Sequence, residues 1–562
     1  MKNILPHIIF LLMLSYMPEH VSMAQKLSHL NHHEEIGFFT DRSLYISGED
    51  ICFSATIITE NSPQDKTLSK VVYIELINQN NDQIIGEKLL VSNAICTGLI
   101  TIPPDLSTGI YYLRSYTKYM RNYGPGSFNY HKIRVLNPFE GSIQLDDHDV
   151  NNQPNGTFLS SGNNENHVFH IETDRDVYGQ SDSIVMKIIP EIQRDSLKLA
   201  CISVVPSHSS YPETILTISR RKQYDSLMFV PEYQGITLTG LLQDNTSGQA
   251  LPSRQMELSI LGDNYDYISV YTNSDGRFFF PLPELMGQET VFISTQSTDS
   301  ILPSILVDND FSPLSIDMPY QSFKLSEKEK ITALNLARNL QISEQYTPGS
   351  DTLKDEIENH GDSVFYGIPT ETLNIDDYIQ LQTLEDYFNE LPYLVKVRKL
   401  QGKKYLKIIE SSPGIQIYEP LILMDMIAMY DIDAILSVSS KQISHIDIIN
   451  EPYVKGSITY GGIISIFSKS NDFAGIDLPQ CGIFISYDFL SGSKPAINGS
   501  GDGHTPDARN TLFWNGNYQI TKDAPHEISF LSGHSQGQYD IILQGVMQNG
   551  KRFSQISTFR VE

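Results

Sequence analysis

Short runs in which apolar and polar residues alternate recur along most of this chain, and such a period-two pattern predicts β-strands. Within residues 34–138 the clearest runs are 51–57, 70–76 and 109–116. Clusters of Gly, Pro, Asn and Ser separate these runs, as is typical of turns between strands. The region 34–138 is therefore expected to form an all-β sandwich.

A motif near the start of this region returns once. Thr40-Asp-Arg-Ser-Leu-Tyr45 matches Thr173-Asp-Arg-Asp-Val-Tyr178 at the Thr, Asp, Arg and Tyr positions. The stretch between the two copies, 139–166, is rich in Asn, Gly and Ser and is expected to be a linker. The repeat predicts a second, shorter β-sandwich over 167–227.

Two further regions show strand-like alternation. In 235–310 the turn signal Ser274-Asp-Gly276 precedes Arg277 and the apolar run Phe278-Phe-Phe280, which predicts a third β-sandwich. The C-terminal region 472–562 alternates again and is expected to form a terminal β-sandwich.

The clearest helix pattern covers 326–345. Ser326-Glu-Lys-Glu329 is a capping box at its start, and Pro348-Gly349 is a stop signal after its end. The polar stretch 346–370 is expected to be a linker. This helix and linker separate the first three sandwiches from the region that begins near residue 375.

Residues 375–469 mix helical and strand patterns and predict a small α+β domain. A helix is expected over 375–390, and a hairpin over 394–400 and 404–409 that turns at Gln401-Gly402. A strand ending at Asp425, a short helix, a strand, a Tyr-Gly-Gly turn and a last strand ending at Lys469 complete the order of elements.

Three of these regions resemble known families. Thr40-Asp-Arg-Ser-Leu-Tyr-Ile-Ser-Gly-Glu-Asp50 resembles the opening of the MG2 domain of α2-macroglobulin-like proteins. Residues 239–252 followed by 272–280 resemble the carboxypeptidase regulatory-like β-sandwich. The element order through Tyr460-Gly-Gly462 resembles the plug domain of TonB-dependent receptors. Together they imply a mainly β fold: several macroglobulin or Ig-like sandwich domains plus one small α+β plug-like domain.

The plug resemblance comes without the barrel that surrounds a receptor plug. Transporters of that kind have about twenty-two strands, and a membrane strand takes roughly 9–11 residues. The given chain runs only from Lys469 to Glu562 after the plug-like region, so we expect no barrel in that segment. This domain is then expected to act on a barrel or complex formed by other chains.

Composition and the N-terminus bear on location and partners. A formal net charge of −27 argues against nucleic acid and against anionic lipid surfaces, since both require basic patches. Lys2, an apolar run over 8–17 and Ser22-Met-Ala24 predict a signal peptide over 1–24. No later stretch is long and apolar enough to predict an integral membrane segment. We therefore expect an exported protein, periplasmic or associated with the outer membrane.

Several motifs are candidates for chemistry, and each has a plainer interpretation. Gly533-His-Ser-Gln-Gly537 fits the G-x-S-x-G pattern of hydrolases, but strand-like alternation comes after it and no His occurs later. His32-His-Glu-Glu35 could bind a metal, but it lacks the helical spacing of a metalloprotease motif. Cys481 lacks the sequence setting of a macroglobulin thioester. Whether Cys52 and Cys96 form a disulfide stays open. We expect no enzyme activity, no cofactor and no metal.

The resulting hypothesis is a non-enzymatic cell-envelope protein that docks onto an outer-membrane transport or secretion assembly. Its partner would be another protein, an outer-membrane barrel or a transport complex, and no nucleic acid. The plug resemblance selects the candidate docking residues, whose alternative role is to form turns. An alternative function is a peptide- or glycan-binding module of a nutrient-uptake system, and an envelope hydrolase is the least favoured. The candidate docking residues are Asp425, Tyr453, Tyr460, Gly461 and Gly462.

Overall fold

The computed structural model describes most of the chain after the N-terminus. The described ranges are 33–59, 68–140, 159–160, 169–190, 197–210, 214–215, 228–262, 265–296, 301–318, 320–346, 364–391, 394–409, 417–455, 458–479, 481–492, 497–498, 506–520 and 525–562. The expected signal peptide (1–24) and His32 lie outside the described residues, as do most of the expected linkers 139–166 and 346–370.

Strands β1 to β14 occupy the first part of the chain. Their bounds are β1 (Glu34–Thr40), β2 (Leu44–Ile46), β3 (Asp50–Thr59), β4 (Val71–Asn78), β5 (Gln83–Leu90), β6 (Ile95–Thr101), β7 (Gly109–Tyr116), β8 (Asn129–Leu136), β9 (Leu159–Ser160), β10 (Phe169–Thr173), β11 (Val177–Tyr178), β12 (Ser183–Pro190), β13 (Leu197–Pro206) and β14 (Thr214–Ile215).

In the described part of the chain, the remaining strands alternate with three α-helices. The next elements are β15 (Thr237–Asp244), β16 (Gln255–Leu261), β17 (Asp266–Tyr271), β18 (Arg277–Pro281), β19 (Gln288–Thr295), β20 (Pro303–Val307), α1 (Glu327–Tyr346), β21 (Glu371–Asn374), α2 (Leu384–Glu390), β22 (Val395–Leu400) and β23 (Lys403–Ile408). The last are β24 (Leu421–Met424), β25 (Ile427–Ala428), α3 (Ile432–Ser437), β26 (Ile443–Ile449), β27 (Tyr453–Lys455), β28 (Ile458–Tyr460), β29 (Ile463–Ser468), β30 (Ile483–Asp488), β31 (Ile497–Asn498), β32 (Phe513–Asn515), β33 (His526–Leu531), β34 (Gly537–Met547) and β35 (Arg552–Val561). The predicted fold class, mainly β with several sandwich-like sheets, is confirmed.

The chain folds as two compact units, each built from segments that are separated in sequence. Unit 1 combines the described residues within 1–233, 311–353 and 491–562, and unit 2 combines those within 234–310 and 354–490. The plug-like region therefore shares a unit with the third sandwich, and the C-terminal strands share a unit with the first two.

The first sandwich of unit 1 has a sheet ordered β1-β3-β6 and a second sheet ordered β5-β4-β7-β8-β14-β9, with β2 parallel to β8. Burial alternates along β6, where Cys96, Gly98 and Ile100 face the core. The four cysteines lie in the described residues; all are buried and none forms a disulfide. Cys52 lies opposite Leu99, and Cys96 lies opposite Ala55, so the two thiols are three positions out of register and form no disulfide.

The second sandwich corrects the predicted domain division. The sequence predicted separate sandwiches over 167–227 and 472–562, but β12 pairs with β33 and β13 pairs with β34 and β32. The sheets are ordered β10-β12-β33 and β11-β35-β34-β13-β32-β31. Each segment alone supplies only part of a sandwich, so the apolar faces of both are buried in one shared core.

The repeated motif forms the same local structure in both sandwiches. The Tyr45 hydroxyl donates to the Asp41 carboxylate, and the Tyr178 hydroxyl donates to the Asp174 carboxylate, each at 2.7 Å. In both copies the guanidinium of the arginine after the aspartate lies 4.7 Å from the tyrosine ring centroid. The two sandwiches therefore begin with the same corner, as the repeat predicted.

Helix α1 belongs to unit 1. Its predicted capping box is confirmed, since the backbone N–H of Ser326 donates to Glu329 at 2.6 Å. Its apolar stripe, with Ala333 and Leu336, packs against Leu44 and Ile46 of β2. Among the described helices, none is long and apolar enough to cross a membrane.

Unit 2 begins with a sandwich whose sheets are ordered β18-β15-β20 and β17-β16-β19-β30. Strand β30 comes from the region predicted as the terminal sandwich (472–562), but it pairs with β19 in unit 2. This is a second correction to the predicted division, and it has the same cause. An alternating pattern predicts that a segment forms a strand, but it does not predict which sheet that strand joins.

The α+β part of unit 2, residues 364–479, has the predicted order of elements. Its main sheet is ordered β21-β26-β29-β24-β25, and the predicted hairpin β22–β23 is confirmed. The helix predicted over 375–390 is wrong in extent, because only a 3₁₀ turn at Ile375–Asp377 and helix α2 form. Thr383 and Asp386 make a capping box, so the helix starts there.

Candidate functional site

The α+β part of unit 2 contains every candidate docking residue, and the first of them forms a tight turn. Strands β24 and β25 pair with Met424 opposite Ile427, which leaves Asp425 and Met426 as a two-residue turn. Both have positive φ, 45° and 71°, as a type I′ turn requires. Asp tolerates this conformation better than Met does, because its short side chain can bond nearby backbone.

The carboxylate of Asp425 points into the protein. It accepts hydrogen bonds from the backbone N–H and hydroxyl of Ser468, at 2.7 and 2.6 Å, and from the N–H of Phe473 at 2.8 Å. Asp425 is 6% exposed. Its side chain thus ties the turn to the end of β29 and to the segment after that strand.

The Tyr-Gly-Gly corner lies at the other end of β29. Gly462 has a φ of +111°, and a Cβ at that position would lie 2.5 Å from the carbonyl oxygen of Ile449. Only glycine fits both the conformation and the space. The N–H of Gly461 donates to the carbonyl of Glu419 at 2.9 Å, so the corner also closes on the segment before β24.

The two candidate tyrosines contact the sandwich of unit 2. The hydroxyls of Tyr460 and Tyr267, a residue of β17, lie 3.0 Å apart, and both side chains are buried. Tyr453 donates to the carbonyl oxygen of Phe365 at 3.2 Å, and the Phe365 ring stacks on Tyr267. Lys455 forms an ion pair with Asp266 at 2.7 Å. Strands β27 and β28 therefore attach the α+β part to the sandwich.

A buried carboxyl group lies close to this contact. Glu257 of β16 is 2% exposed, and burial raises its pKa to about 7, although the hydroxyls of Tyr430 and Tyr267 partly offset the effect. Gln255 donates to Glu257 at 3.0 Å and to the Tyr460 hydroxyl at 3.4 Å. The sequence analysis did not single out Glu257, because one acidic residue in a β-strand carries no signal of burial.

The five candidate docking residues thus fall into two groups at opposite ends of β29. Asp425 forms a turn at one end, and the Tyr-Gly-Gly corner with Tyr453 forms an internal contact at the other. Asp425, Gly461 and Gly462 lie in turns, which is the alternative role that the sequence analysis gave them. Their contact with a partner stays a prediction.

A surface that the sequence analysis missed lies on the hairpin β22–β23. Between Leu394 and Ile409 the chain has six basic and no acidic residues, although Asp and Glu outnumber Lys and Arg 67 to 40 overall. The signal was visible in the sequence as a local reversal of charge. We call the outward face of this hairpin the basic face; it consists of Lys396, Arg398, Leu400, Lys403, Tyr405 and Lys407.

The geometry of the hairpin separates an inner from an outer side. Val395 lies opposite Ile408 and Val397 opposite Leu406, and this side packs into the core of the α+β part. On the outer side Leu400 is 67% and Tyr405 41% exposed. The inner side thus holds the hairpin in place while the basic face meets solvent.

The hydrolase-like motif forms a connection between two strands. Strand β34 begins at Gly537, where a nucleophile elbow would start a helix. The Ser535 hydroxyl donates to the side chain of Asn339 at 2.9 Å. In the described part of the chain, no cluster of three or more His, Cys, Asp or Glu side chains is placed to hold a metal ion.

Comparison with known proteins gives distant structural similarity only. An Escherichia coli α2-macroglobulin activated by porcine elastase is 9% identical with a TM-score of 0.24, over 94% of this chain and 44% of that one. A Salmonella α2-macroglobulin reacted with methylamine is 9% identical with a TM-score of 0.16, over 94% and 23%. The Yersinia pseudotuberculosis adhesin InvE is 12% identical with a TM-score of 0.13, over 49% and 58%.

This chain spans less than half the length of the macroglobulins that it resembles. No protein-family model matches it, and no curated protein matches it. At TM-scores this low, the similarity leaves the function open.

Proposed function

We propose that this chain is a non-enzymatic, modular protein of the cell envelope that docks onto an outer-membrane transport or secretion assembly. The α+β part of unit 2 makes the contact, and the β-sandwiches support it. The observation that carries the proposal is the basic face, which presents cations, Tyr405 and Leu400 on one side of the hairpin β22–β23. Aromatic residues and arginine are enriched in protein-contact surfaces, and Tyr405 and Arg398 are residues of these two types.

The geometry around Ser535 supports a non-enzymatic role. Nδ1 of the neighbouring His534 accepts the backbone N–H of Asp507 at 2.6 Å, so the proton of the neutral ring sits on Nε2. Nε2 lies 3.3 Å from the hydroxyl of Ser181 and must donate to it. In this tautomer His534 cannot take a proton from a serine, which a hydrolase would require.

The expected signal peptide and the plug resemblance support the envelope location. A receptor plug lies inside a barrel, so a plug-like domain would fit a role in contact with a barrel made by another chain. The internal packing of Tyr453 and Tyr460 moves the contact away from the Tyr-Gly-Gly corner. We therefore assign docking to the outer surface of the α+β part.

Site-specific photo-crosslinking in intact cells tests the proposal. A photo-crosslinking amino acid replaces Tyr405 in the full chain, and the matched control replaces Ile556, a 53% exposed residue on β35 of unit 1. We expect an adduct with an outer-membrane barrel or a transport subunit from Tyr405 and none from Ile556. Adducts from neither position, or the same adducts from both, would contradict the docking role. An adduct with a soluble peptide or glycan would favour the nutrient-uptake alternative.

A further inference from the structure

We propose that the hairpin β22–β23 binds an acidic, extended polypeptide segment of the partner, which its basic face and its free strand edges recognise together. This inference rests on the proposed docking function and names the chemistry of the partner. The ligand is a strand with carboxylates on alternate residues, paired along one edge of the hairpin.

Among the described residues, no acidic side chain pairs with the charges of the basic face. No hydrogen bond or ion pair within the described residues uses the side chains of Lys396, Arg398, Lys403 or Lys407. The contrast is Lys404 on the inner side, whose ammonium group lies 2.8 Å from Glu385 and forms an intramolecular pair. None of the four outer cations is paired with a described residue, and we propose that an external anion pairs with them.

The arrangement of these cations has an energetic cost in the absence of a ligand. Lys396 lies directly opposite Lys407 in the antiparallel register. Like charges in this position are destabilising, because the Cβ atoms are only about 5 Å apart. A carboxylate placed between the two ammonium groups would relieve the repulsion, so the pair is a preformed anion contact.

The spacing of the cations suits an extended peptide. Lys396 and Arg398 are two residues apart on β22, which sets their Cα atoms roughly 6.6–6.8 Å apart along the strand. Lys403 and Lys407 continue the face on β23, with Tyr405 between them. Carboxylates on alternate residues of an extended strand have the same spacing. Arg398 adds the option of a two-bond pair with one carboxylate.

The free edges distinguish a polypeptide from other anions. The hairpin is a two-stranded sheet, and no other strand among the described residues pairs with β22 or β23. Its outer backbone N–H and C=O groups can therefore bond a third strand. Nucleic acids and lipid headgroups cannot continue such a ladder.

The charge of the rest of the chain favours the same ligand. Because the formal net charge is −27 despite this hairpin, a large anionic surface would repel most of the protein. A short acidic segment touches only the hairpin, which is about 20 Å long for its six-residue strands. Two copies of the hairpin repel each other because both carry positive charge. The edge is therefore unfavourable for pairing with its own copy and favourable for pairing with an acidic strand.

Fluorescence anisotropy with a labelled peptide tests the inference on the full chain. The probe is a peptide of about ten residues that alternates Glu and Thr, and the comparison peptide alternates Gln and Thr. The variant reverses four charges: Lys396→Glu, Arg398→Glu, Lys403→Glu and Lys407→Glu. The control reverses three exposed charges elsewhere, with Lys328→Glu, Lys441→Glu and Lys551→Glu.

We expect the Glu-Thr peptide to bind, and the hairpin variant to weaken that binding by more than about tenfold. The control variant and an arginine variant (Lys396→Arg, Lys403→Arg, Lys407→Arg) should retain the binding. Binding should also weaken as salt rises, because the Debye length falls from about 30 Å to 8 Å between 0.01 and 0.15 M. Hydrogen exchange should show new protection in the amides of β22 or β23.

Three results would overturn the inference. One is equal affinity for the Glu-Thr and Gln-Thr peptides, and another is unchanged binding by the hairpin variant. The third is hairpin-dependent binding of single-stranded DNA or phosphatidylglycerol vesicles with no binding of the acidic peptide. The photo-crosslinking from Tyr405 is scored separately. If it captures a partner that the four-charge variant still binds, docking stands and the acidic-strand inference fails.

Discussion

The hydroxyl of Tyr460 lies 3.0 Å from the hydroxyl of Tyr267, and this buried pair joins the α+β part of unit 2 to its sandwich. Sequence reasoning proposed Tyr460 as a contact for a partner, and the structure places it against a residue of the same chain. A fragment limited to 373–469 would expose this surface. The α+β part therefore depends on the sandwich for part of its buried surface.

The Tyr460–Tyr267 contact predicts an unequal effect of two conservative substitutions. Tyr460→Phe leaves the buried Tyr267 hydroxyl without this partner and should lower the free energy of unfolding by about 1–2 kcal/mol. Tyr453→Phe removes a bond from a half-buried hydroxyl and should cost less. Both substitutions lie in unit 2, whereas the single tryptophan, Trp514, lies in unit 1 and its fluorescence would not report on them. Hydrogen exchange resolved by peptide therefore measures both effects. Equal effects would contradict the assigned contact.

The Gly462 corner predicts a large cost for the smallest side chain. Gly462→Ala adds a Cβ 2.5 Å from the carbonyl of Ile449 at a φ of +111°, and should destabilise unit 2 by about 2–4 kcal/mol. Gly402→Ala in the hairpin turn is the matched control, because its φ is +83° and nothing lies near the new Cβ. It should cost about 1 kcal/mol. Denaturant-dependent hydrogen exchange of β26 and β29 measures the difference.

A substitution at Asp425 tests whether this residue stabilises the fold or contacts a partner. Asp425→Asn replaces one acceptor oxygen by an NH₂ group that faces donors, and should destabilise unit 2 by about 2 kcal/mol. Partner capture from Tyr405 should persist at temperatures where the variant is folded. If stability is unchanged and partner capture is lost, Asp425 is a contact residue after all.

Glu257 predicts that unit 2 becomes less stable as pH rises. Burial raises the folded-state pKa from 4.5 to about 7, so between these values the folded state holds a proton that the unfolded state has lost. Stability should fall by about 3 kcal/mol from pH 4.5 to 7 and then level off. Glu257→Gln should remove this slope, as measured by hydrogen exchange of β16 and β19. A slope that survives the substitution belongs to another group.

His131 predicts the opposite dependence for unit 1. It is buried in the first sandwich, and burial lowers its pKa from 6.5 to about 4, with Arg552 adding to the effect. Below pH 6.5 the unfolded chain gains a proton that the folded state does not, so stability should fall as pH drops from 6.5 to 4. Trp514 fluorescence in denaturant measures it, and His131→Gln should flatten the slope. If the denaturant midpoint stays constant between pH 6.5 and 4, His131 is not buried in its neutral form.

Local patterns accounted for many of the elements. Alternation located most strands, the Ser326 capping box located helix α1, and the Gln401-Gly402 turn located the hairpin. The helix expected over 375–390 was overextended, because Thr383 caps a shorter one. The charge reversal that marks the basic face was present in the sequence, but only the hairpin register shows that four cations share one side.

The sequence by itself determined where strands, turns and helix ends form, since these depend on neighbouring side chains and on backbone freedom at residues such as Gly462. Only the tertiary structure decided which strands pair: β13 with β34, and β19 with β30. It also decided that Tyr460 meets Tyr267 and that Glu257 is buried. Alternation states that a face is buried but never what covers it. Partners far apart in sequence are chosen by the packing of the whole unit.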